Sequence, residues 1–333
     1  MKLNKQENKF QILLEDKIKS FCSSKDENSF GRDSEERLWD VPIVGYSRGD
    51  DPLFNKLKKD IGQFYWTPIE IFTKTFPKVK VSPEKLTVIS WILPQTKATK
   101  ADHQKETEYP SKRWAISRFF GESLNNRLRK HVVEILQNLG FEAVAPFISP
   151  LWERKTSKQY GFASRWSERH AAYVAGLGTF GLCDGLITPL GKAMRCGSVV
   201  AHISVQPTIR PYSDHREYCL YYSGGTCKEC VKRCPADAIS EKGHDKAKCY
   251  KYLRQVTAKY ITTNFGFESH SCGLCQTLVP CESQIPNIAL DRKPRFSVKN
   301  SKSEFRTKYP DGDKYETMTE INNVPMTKTL NFR

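Results

Sequence analysis

Eight cysteines in the second half of the chain constrain its fold more than any other feature. They form two groups, and the first contains a C-x2-C-x3-C-P run that ends at Cys234 and Pro235. Such spacing lets one loop surround an iron–sulfur cluster, and the proline turns the chain away after the last ligand. The 11 cysteines of the chain, without a recognisable secretory signal, favour metal or redox chemistry over a disulfide scaffold. The two groups are Cys219, Cys227, Cys230 and Cys234, and Cys249, Cys272, Cys275 and Cys281.

The order of these cysteines predicts two [4Fe–4S] clusters. In two-cluster ferredoxins the cysteine before the proline ligates the other cluster, so that each cluster receives four thiolates. The spacer between Cys219 and Cys227 is longer than the usual two residues, and its glycines should let it loop out. The predicted ligands of cluster 1 are Cys219, Cys227, Cys230 and Cys281, and those of cluster 2 are Cys234, Cys249, Cys272 and Cys275.

Zinc is the alternative for this region, because the chain contains two C-x2-C pairs. The pairs Cys227/Cys230 and Cys272/Cys275 are much farther apart than the roughly 15–20 residues of a zinc ribbon. Zinc would also leave the other four cysteines without a role. The spacing therefore favours clusters over zinc.

Three cysteines remain outside these groups: Cys22, Cys183 and Cys196. A lone cysteine is usually a small buried hydrophobic residue. We assign no role to Cys22, and we expect the other two to be structural as well.

The stretch GLGTFG at 176–181 matches the G-x-G-x-x-G pattern of dinucleotide-binding proteins. That site needs a strand before the glycines and a helix after them, and an acidic residue about 20 positions later. Here 167–175 predicts a helix with Ser167 at its N-cap, and 184–205 predicts a β-hairpin. We reject the dinucleotide interpretation and expect the glycines to allow close approach of a flat ligand or of another strand.

The N-terminal part of the chain has the pattern of an α/β domain with helices packed on a sheet. The first 20 residues predict an amphipathic helix, and 85–94 predicts a buried strand that ends at a proline. Apolar residues at helical spacing predict a helix over 125–140, and 141–148 predicts the next strand.

Prolines interrupt this pattern at 206–215 and mark a domain boundary. We predict an α/β domain over 1–210, a ferredoxin-like domain over 211–290, and a basic, flexible tail over 291–333.

The net charge of +16 is compatible with a polyanionic partner such as nucleic acid, and equally with general solubility. No apolar run reaches the roughly 20 residues that span a bilayer, so we expect a cytoplasmic protein without a membrane partner.

Together, the glycine motif and the cysteines resemble the epoxyqueuosine reductases and the related corrinoid-dependent reductive dehalogenases. The resemblance rests on ERHAAYVAGLGTFG at 168–181, GLITPLGKAMRCGSVVA at 185–201, the cysteine run, and CGLCQTLVPC at 272–281. It implies a cobalamin-binding α/β domain that precedes a two-cluster ferredoxin-like domain. It covers residues 165–290 well, and the first 160 residues only in general pattern.

The resemblance also implies a mechanism in which clusters pass single electrons to cobalamin and a protein acid delivers a proton. In epoxyqueuosine reductases this acid is an aspartate, whose place is taken here by Phe162, a residue that cannot donate a proton. Reductive dehalogenases use a tyrosine with a nearby cation, and the local candidates are Tyr160, Arg165 and Arg169. The residues expected to shape the cofactor pocket are Glu168, Arg169, Gly176, Gly178, Gly181 and Gly185, with His170 near the substrate.

Three functions follow as hypotheses. The first is a reductase that takes electrons from a donor such as a ferredoxin or flavodoxin and passes them through two clusters to cobalamin. The second is an epoxyqueuosine reductase that acts on tRNA with its acid relocated. The third is an electron carrier or binding protein that has kept the fold without the cofactor.

Overall fold

A four-stranded antiparallel sheet forms the centre of the molecule. A computed structural model describes residues 2–31, 34–225 and 227–287. The order of the strands is β1-β2-β8-β3, and every neighbouring pair is antiparallel. These strands are β1 (Ile43–Arg48), β2 (Thr87–Pro94), β3 (Ala143–Val144) and β8 (Met194–Ala201).

The central strand β2 agrees with the strand predicted over 85–94, and all its residues are buried. The strand predicted over 141–148 is much shorter, because Pro146 begins a 3-10 turn directly after β3. The prediction of a hairpin over 184–205 is wrong. Strand β8 pairs with β2 and β3, and the short strand Leu186–Ile187 pairs with Thr179–Phe180. Two further hairpin strands, β4 and β5, precede helix α6. The small strands are β4 (Arg154–Ser157), β5 (Gly161–Ser164), β6 (Thr179–Phe180) and β7 (Leu186–Ile187).

Helices cover both faces of the sheet. The N-terminal helix is confirmed and buries Leu14, Ile18 and Cys22 along one stripe. The helix predicted over 125–140 is part of a longer helix, which begins after the N-cap Ser111. The helices are α1 (Lys2–Ser23), α2 (Pro52–Ile61), α3 (Pro68–Thr75), α4 (Lys97–Gln104), α5 (Lys112–Asn138) and α6 (Glu168–Val174).

Each face of the sheet has its own apolar core, because the side chains of β2 alternate between the two faces. Ile89, Trp91 and Leu93 pack with α1 and α5 on one face. Val88 and Ile92 pack with α2, α3 and α6 on the other. The α/β part of the chain is therefore a layered, fully packed structure.

The cysteine-rich part consists of short elements around a third, smaller core. That core contains Cys183, Cys219, Cys230 and Cys281 among its buried members. Its elements are α7 (Leu220–Gly224), α8 (Glu229–Lys232), β9 (Ile239–Ser240), β10 (Gly243–His244), α9 (Lys246–Tyr252), a π-helix (Leu253–Thr257) and α10 (Ala258–Phe265).

The observed class is mixed α and β. Contacts group residues 1–286 into one compact unit, and residues 203–212 carry no helix or strand. The domain boundary at residue 210 stays a prediction, and the basic tail over 291–333 lies outside the described residues. None of the described helices has the length and apolar character needed to cross a bilayer.

Candidate functional site: two sets of cysteines

The four predicted ligands of cluster 1 line one cavity. Cys219, Cys227, Cys230 and Cys281 contribute to its wall together with Lys192, Leu182 and Val279. Three of the four cysteines are buried, and Cys227 is half-buried. The wall thus combines thiol groups, apolar side chains and a single lysine.

Short helices bring these cysteines together. Cys219 is the N-cap residue of α7, and Cys230 lies within α8. The insertion between Cys219 and Cys227 begins with the single-turn helix α7 rather than an open loop. The C-cap of that helix is Gly225, whose φ of +72° is a left-handed conformation that suits glycine.

The four predicted ligands of cluster 2 form a more exposed set, and all four are half-buried. Cys272 is close enough to Cys249 and Cys234 to interact with them electrostatically, and burial raises its pKa to about 12. Cys275 interacts with Cys272 and also with Cys183. The second set therefore lies directly beside the first.

The donor set fits two multinuclear clusters better than one zinc ion. Among the described residues, no three His, Cys, Asp or Glu side chains are arranged to hold one metal ion. A four-iron cube separates its thiolates more widely than a single ion does, and thiolates are the ligands that such cubes take. Eight thiols in two adjacent sets of four match that chemistry.

The isolated cysteines divide into two kinds. Burial raises the pKa values of Cys22 and Cys196 to about 12, which is the state of an inert core thiol. Cys183 instead lies beside the first set, with Lys192 Nζ 3.4 Å from its Sγ. Sequence patterns did not single out Lys192, because its neighbours come from distant parts of the chain.

Glu168, predicted to shape the cofactor pocket, is part of a buried ion-pair network. Arg129 Nε lies 3.0 Å from its Oε1, and Ser198 donates a hydrogen bond to its other oxygen. Arg129 also pairs with Glu122 at 3.0 Å and is almost fully buried. Burial raises the pKa of Glu168 although Arg129 acts in the opposite direction. Its carboxylate thus links α6 to α5 and β8.

The four glycines of the predicted pocket approach the chain's own atoms. A Cβ on Gly178 would overlap the carbonyl of Ile187 in β7. A Cβ on Gly185 would lie 2.8 Å from the Lys192 stem, and those on Gly176 and Gly181 would meet Thr208 and Ile187 at 3.2 and 3.3 Å. Of the two expectations for this motif, close approach of another strand describes the contacts of Gly178 and Gly181 with β7, but not those of Gly176 and Gly185. Cofactor binding by these glycines stays a prediction.

The three candidate catalytic residues do not form one group. Arg165 Nε donates to Glu153 at 2.8 Å, and its guanidinium lies over the Trp66 ring. Tyr160 is 43% exposed at the β4–β5 turn. Arg169 donates to the Asp184 carbonyl. Arg165 thus contacts Glu153 and Trp66, whereas Arg169 contacts Asp184.

A cation that the sequence did not reveal lies next to Tyr160. Lys246 Nζ is 6.0 Å from the centre of the Tyr160 ring, and it donates to the Phe162 carbonyl at 3.1 Å. Burial lowers the pKa of Lys246, and burial raises that of Tyr160. The ring of Phe162, at the position of the expected acid, lies 5.3 Å from the ring of Tyr250 at an interplanar angle of 47°.

His170 is enclosed by aromatic rings. Tyr65 and Phe180 lie 6.1 and 4.9 Å from its ring, and its Nδ1 is buried without a hydrogen-bond partner among the described residues. Burial lowers its pKa to about 3, so the ring is neutral at physiological pH.

A positively charged cleft, also unforeseen, lies around Glu122. Arg118 and Arg195 approach its Oε2 at 3.8 and 3.4 Å, on the side away from the buried Arg129. Burial, and to a smaller extent three arginines, lower the pKa of the neighbouring His270 to about 4. The residues of this arginine cleft are Arg118, Arg154, Arg195, Arg254 and His270.

Comparison with known proteins gives partial sequence matches. No protein-family model matches the chain. An epoxyqueuosine reductase from Leadbetterella byssophila is 26% identical over 164 residues, which are 48% of this chain and 45% of that protein. One from Bacillus anthracis is 28% identical over 119 residues, 34% of this chain and 29% of that protein. The chain thus matches less than half the length of either relative.

Solved structures of two kinds are similar at low identity. An epoxyqueuosine reductase from Bacillus subtilis gives a TM-score of 0.43 at 16% identity, covering 84% of this chain and 67% of that one. A reductive dehalogenase whose structure suggests a mechanism for B12-dependent dehalogenation gives a TM-score of 0.45 at 15% sequence identity. The match covers 74% of this chain and 30% of that one. In sequence, this chain is similar to part of the epoxyqueuosine reductases.

Proposed function

We propose that the chain is an iron–sulfur oxidoreductase with two [4Fe–4S] clusters and a cobalamin-type cofactor. The observation that carries the proposal is the cavity lined by Cys219, Cys227, Cys230 and Cys281. These side chains would hold cluster 1, and the adjacent half-buried cysteines would hold cluster 2. When bound, the clusters supply single-electron transfer and the cobalamin supplies a reducible cobalt centre.

The chain's own residues would exclude water and deliver a proton. Leu182 and Val279 shield the cavity of the first set. Tyr160 is the candidate acid, because its hydroxyl can donate a proton and Lys246 lies beside its ring. Phe162 cannot take this role, so the proton of an epoxyqueuosine reductase would need another source here.

Metal content tests the first part of this proposal. Anaerobic reconstitution of the full chain should give about eight irons and eight sulfides per chain. Cys281→Ser should lose about half of them, whereas Cys22→Ser, which removes a core thiol far from both sets, should keep all. A wild-type chain that binds one zinc and no sulfide would contradict the proposal.

Electron paramagnetic resonance tests the cofactor. The reconstituted chain mixed with cob(II)alamin should show the base-off spectrum that marks binding without a lower axial ligand. An unchanged spectrum of free cobalamin beside intact cluster signals would favour the electron carrier. Reduction by a ferredoxin or flavodoxin, followed in the same samples, would identify the class of donor.

A second candidate function is action on tRNA, and the arginine cleft favours it. Its surplus of cations suits a phosphate-bearing partner, and the net charge of +16 suits a polyanion. Binding of bulk tRNA should then weaken steeply with salt. A double substitution of the exposed Arg154 and Arg254 by Gln should reduce the slope of log K against log salt by about one to two units, because each phosphate contact contributes about 0.7–0.9. Replacement of exposed Lys59 and Lys74 by Gln is the control. Equal slopes for all three proteins would argue against this function.

A further inference from the structure

Lys192 is a fully buried lysine, at 2% exposure. Lysine is rarely buried without a charged partner. It lies in the turn between β7 and β8, and its backbone N–H donates to the carbonyls of Cys281 and Glu282 at 2.8 and 3.1 Å. The base of its side chain is therefore fixed beside the last cysteine of the first set.

The ammonium group of Lys192 faces sulfur atoms and not carboxylates. Its Nζ lies 3.4 Å from Cys183 Sγ, and its side chain lines the cavity of the first cysteine set. Within the described ranges, no carboxylate forms an ion pair with it.

The stem of Lys192 has a dedicated slot. A Cβ on Gly185 would lie 2.8 Å from Cδ of Lys192 and 3.3 Å from Cys183 Sγ, so the stem packs where any other residue at 185 would have a side chain. This packing holds the charge at one point of the wall.

We propose that Lys192 is the countercharge of cluster 1 and raises the reduction potential of that cluster. The inference rests on the proposed function. Reduction adds one electron, taken from a low-potential donor, to a cluster already negative through its four thiolates, and no bond forms or breaks. A buried cation next to it stabilises the added charge strongly, because the surroundings have a low dielectric constant.

Cations also lie beside the second set, but they are less buried than Lys192. Arg233 acts on Cys272 and is half-buried. Its guanidinium already donates to the carbonyls of Glu106 and Leu274, at 2.7 and 3.3 Å. His244 interacts with Cys249 and lies 3.3 Å from Asp184. Lys192 differs from both, because it is 2% exposed and no carboxylate among the described residues forms an ion pair with it.

The test is a redox titration of the reconstituted full chain, followed by electron paramagnetic resonance. Lys192→Met keeps the stem and removes the charge. We expect the midpoint potential of one cluster to fall by at least about 59 mV, which corresponds to a tenfold change in its one-electron equilibrium constant. The midpoint of the other cluster should fall less, and Cys281→Ser identifies which signal belongs to the first set.

Lys228→Met is the matched control. Lys228 neighbours the ligand Cys227 in sequence, but its side chain is 42% exposed and paired with Glu241. Its replacement should shift the midpoint much less, because water screens an exposed charge. Lys192→Arg, which keeps the charge, should stay near wild type.

The outcomes separate the two proposals. If wild type holds no iron, the cluster proposal fails. If both clusters load and Lys192→Met shifts the midpoint potential no more than Lys228→Met does, the cluster proposal stands and the countercharge proposal is overturned. A midpoint for Lys192→Arg as low as that of Lys192→Met would also overturn it. Should Lys192→Met not retain iron, Lys192→Gln takes its place under the same criteria.

Discussion

The α/β part and the cysteine part of this molecule are stabilised in different ways. The first has one apolar core on each face of the sheet and a buried ion network around Arg129. The second has one small core, of which Cys183, Cys219, Cys230 and Cys281 are members, and its elements are a few residues long. The comparison teaches that the first part is stabilised by two apolar cores and an ion network, whereas the second has little core of its own, so we expect its stability to depend on the proposed clusters.

The largest effect should come from the ion network of the α/β part. Arg129→Met leaves Glu122 and Glu168 buried without their shared partner, which should cost about 3–5 kcal/mol of unfolding free energy. Urea unfolding monitored by tryptophan fluorescence measures it. Arg113→Met, which removes an exposed pair with Glu36, is the control and should cost about 0–1 kcal/mol. Equal losses would contradict a specific role for the buried network.

The next effect should come from the junction of the two parts. Gly191 has φ +81°, and a Cβ there would overlap the Glu282 carbonyl. Gly191→Ala should cost about 2–4 kcal/mol through strain and overlap, and should lower iron retention. Gly140→Ala is matched in backbone, at φ +85°, but has no neighbour within 4 Å. It should cost about 1–2 kcal/mol and retain iron. If Gly191→Ala costs no more unfolding free energy than Gly140→Ala and retains as much iron, the two parts are independent at this junction.

A smaller effect is expected for acid sensitivity. His170 has a pKa of about 3 in the folded state, against about 6.5 when unfolded. The unfolded state therefore binds the proton first, and stability is lost as the pH falls from about 6.5 toward 3. His170→Phe should remove this contribution, at most about 1.4 kcal/mol per pH unit. Urea midpoints between pH 7 and pH 4 measure the slope, and an unchanged slope would show that His170 is not the acid-sensitive group.

The smallest effect should come from the exposed hairpin where Lys246 of the cysteine part meets Tyr160. Tyr160→Phe keeps the ring and should change the unfolding free energy by less than about 0.5 kcal/mol. A larger loss would mean that the hydroxyl is structural, which would weaken Tyr160 as the candidate acid.

The sequence predicted those parts of the fold that depend on local periodicity. Strand β2 and the stripe of Leu14, Ile18 and Cys22 follow from spacing alone. The pairing of β8 could not be predicted, because its partner β2 lies a hundred residues earlier and the stretch between β7 and β8 contains turn residues that suggest a local hairpin.

The candidate site shows the same division. Cysteine spacing predicted a set of four that the structure brings to one cavity. Lys192 and the arginine cleft carry no sequence signature, because each joins residues from separate elements. The roles of the eight cysteines, the glycines and the catalytic candidates remain predictions for the experiments above.

The position of β8 in the sheet has a consequence for the order of events during synthesis. This strand pairs with β2 and β3, so the sheet lacks its centre until about residue 201 has left the ribosome. Such non-local pairing is slow, because a long loop must close before any contact forms. The first cysteine of the cavity follows only at 219. All strands of the sheet therefore leave the ribosome before the cysteines of the cavity, and we expect the slow formation of the sheet to overlap with the emergence of those cysteines.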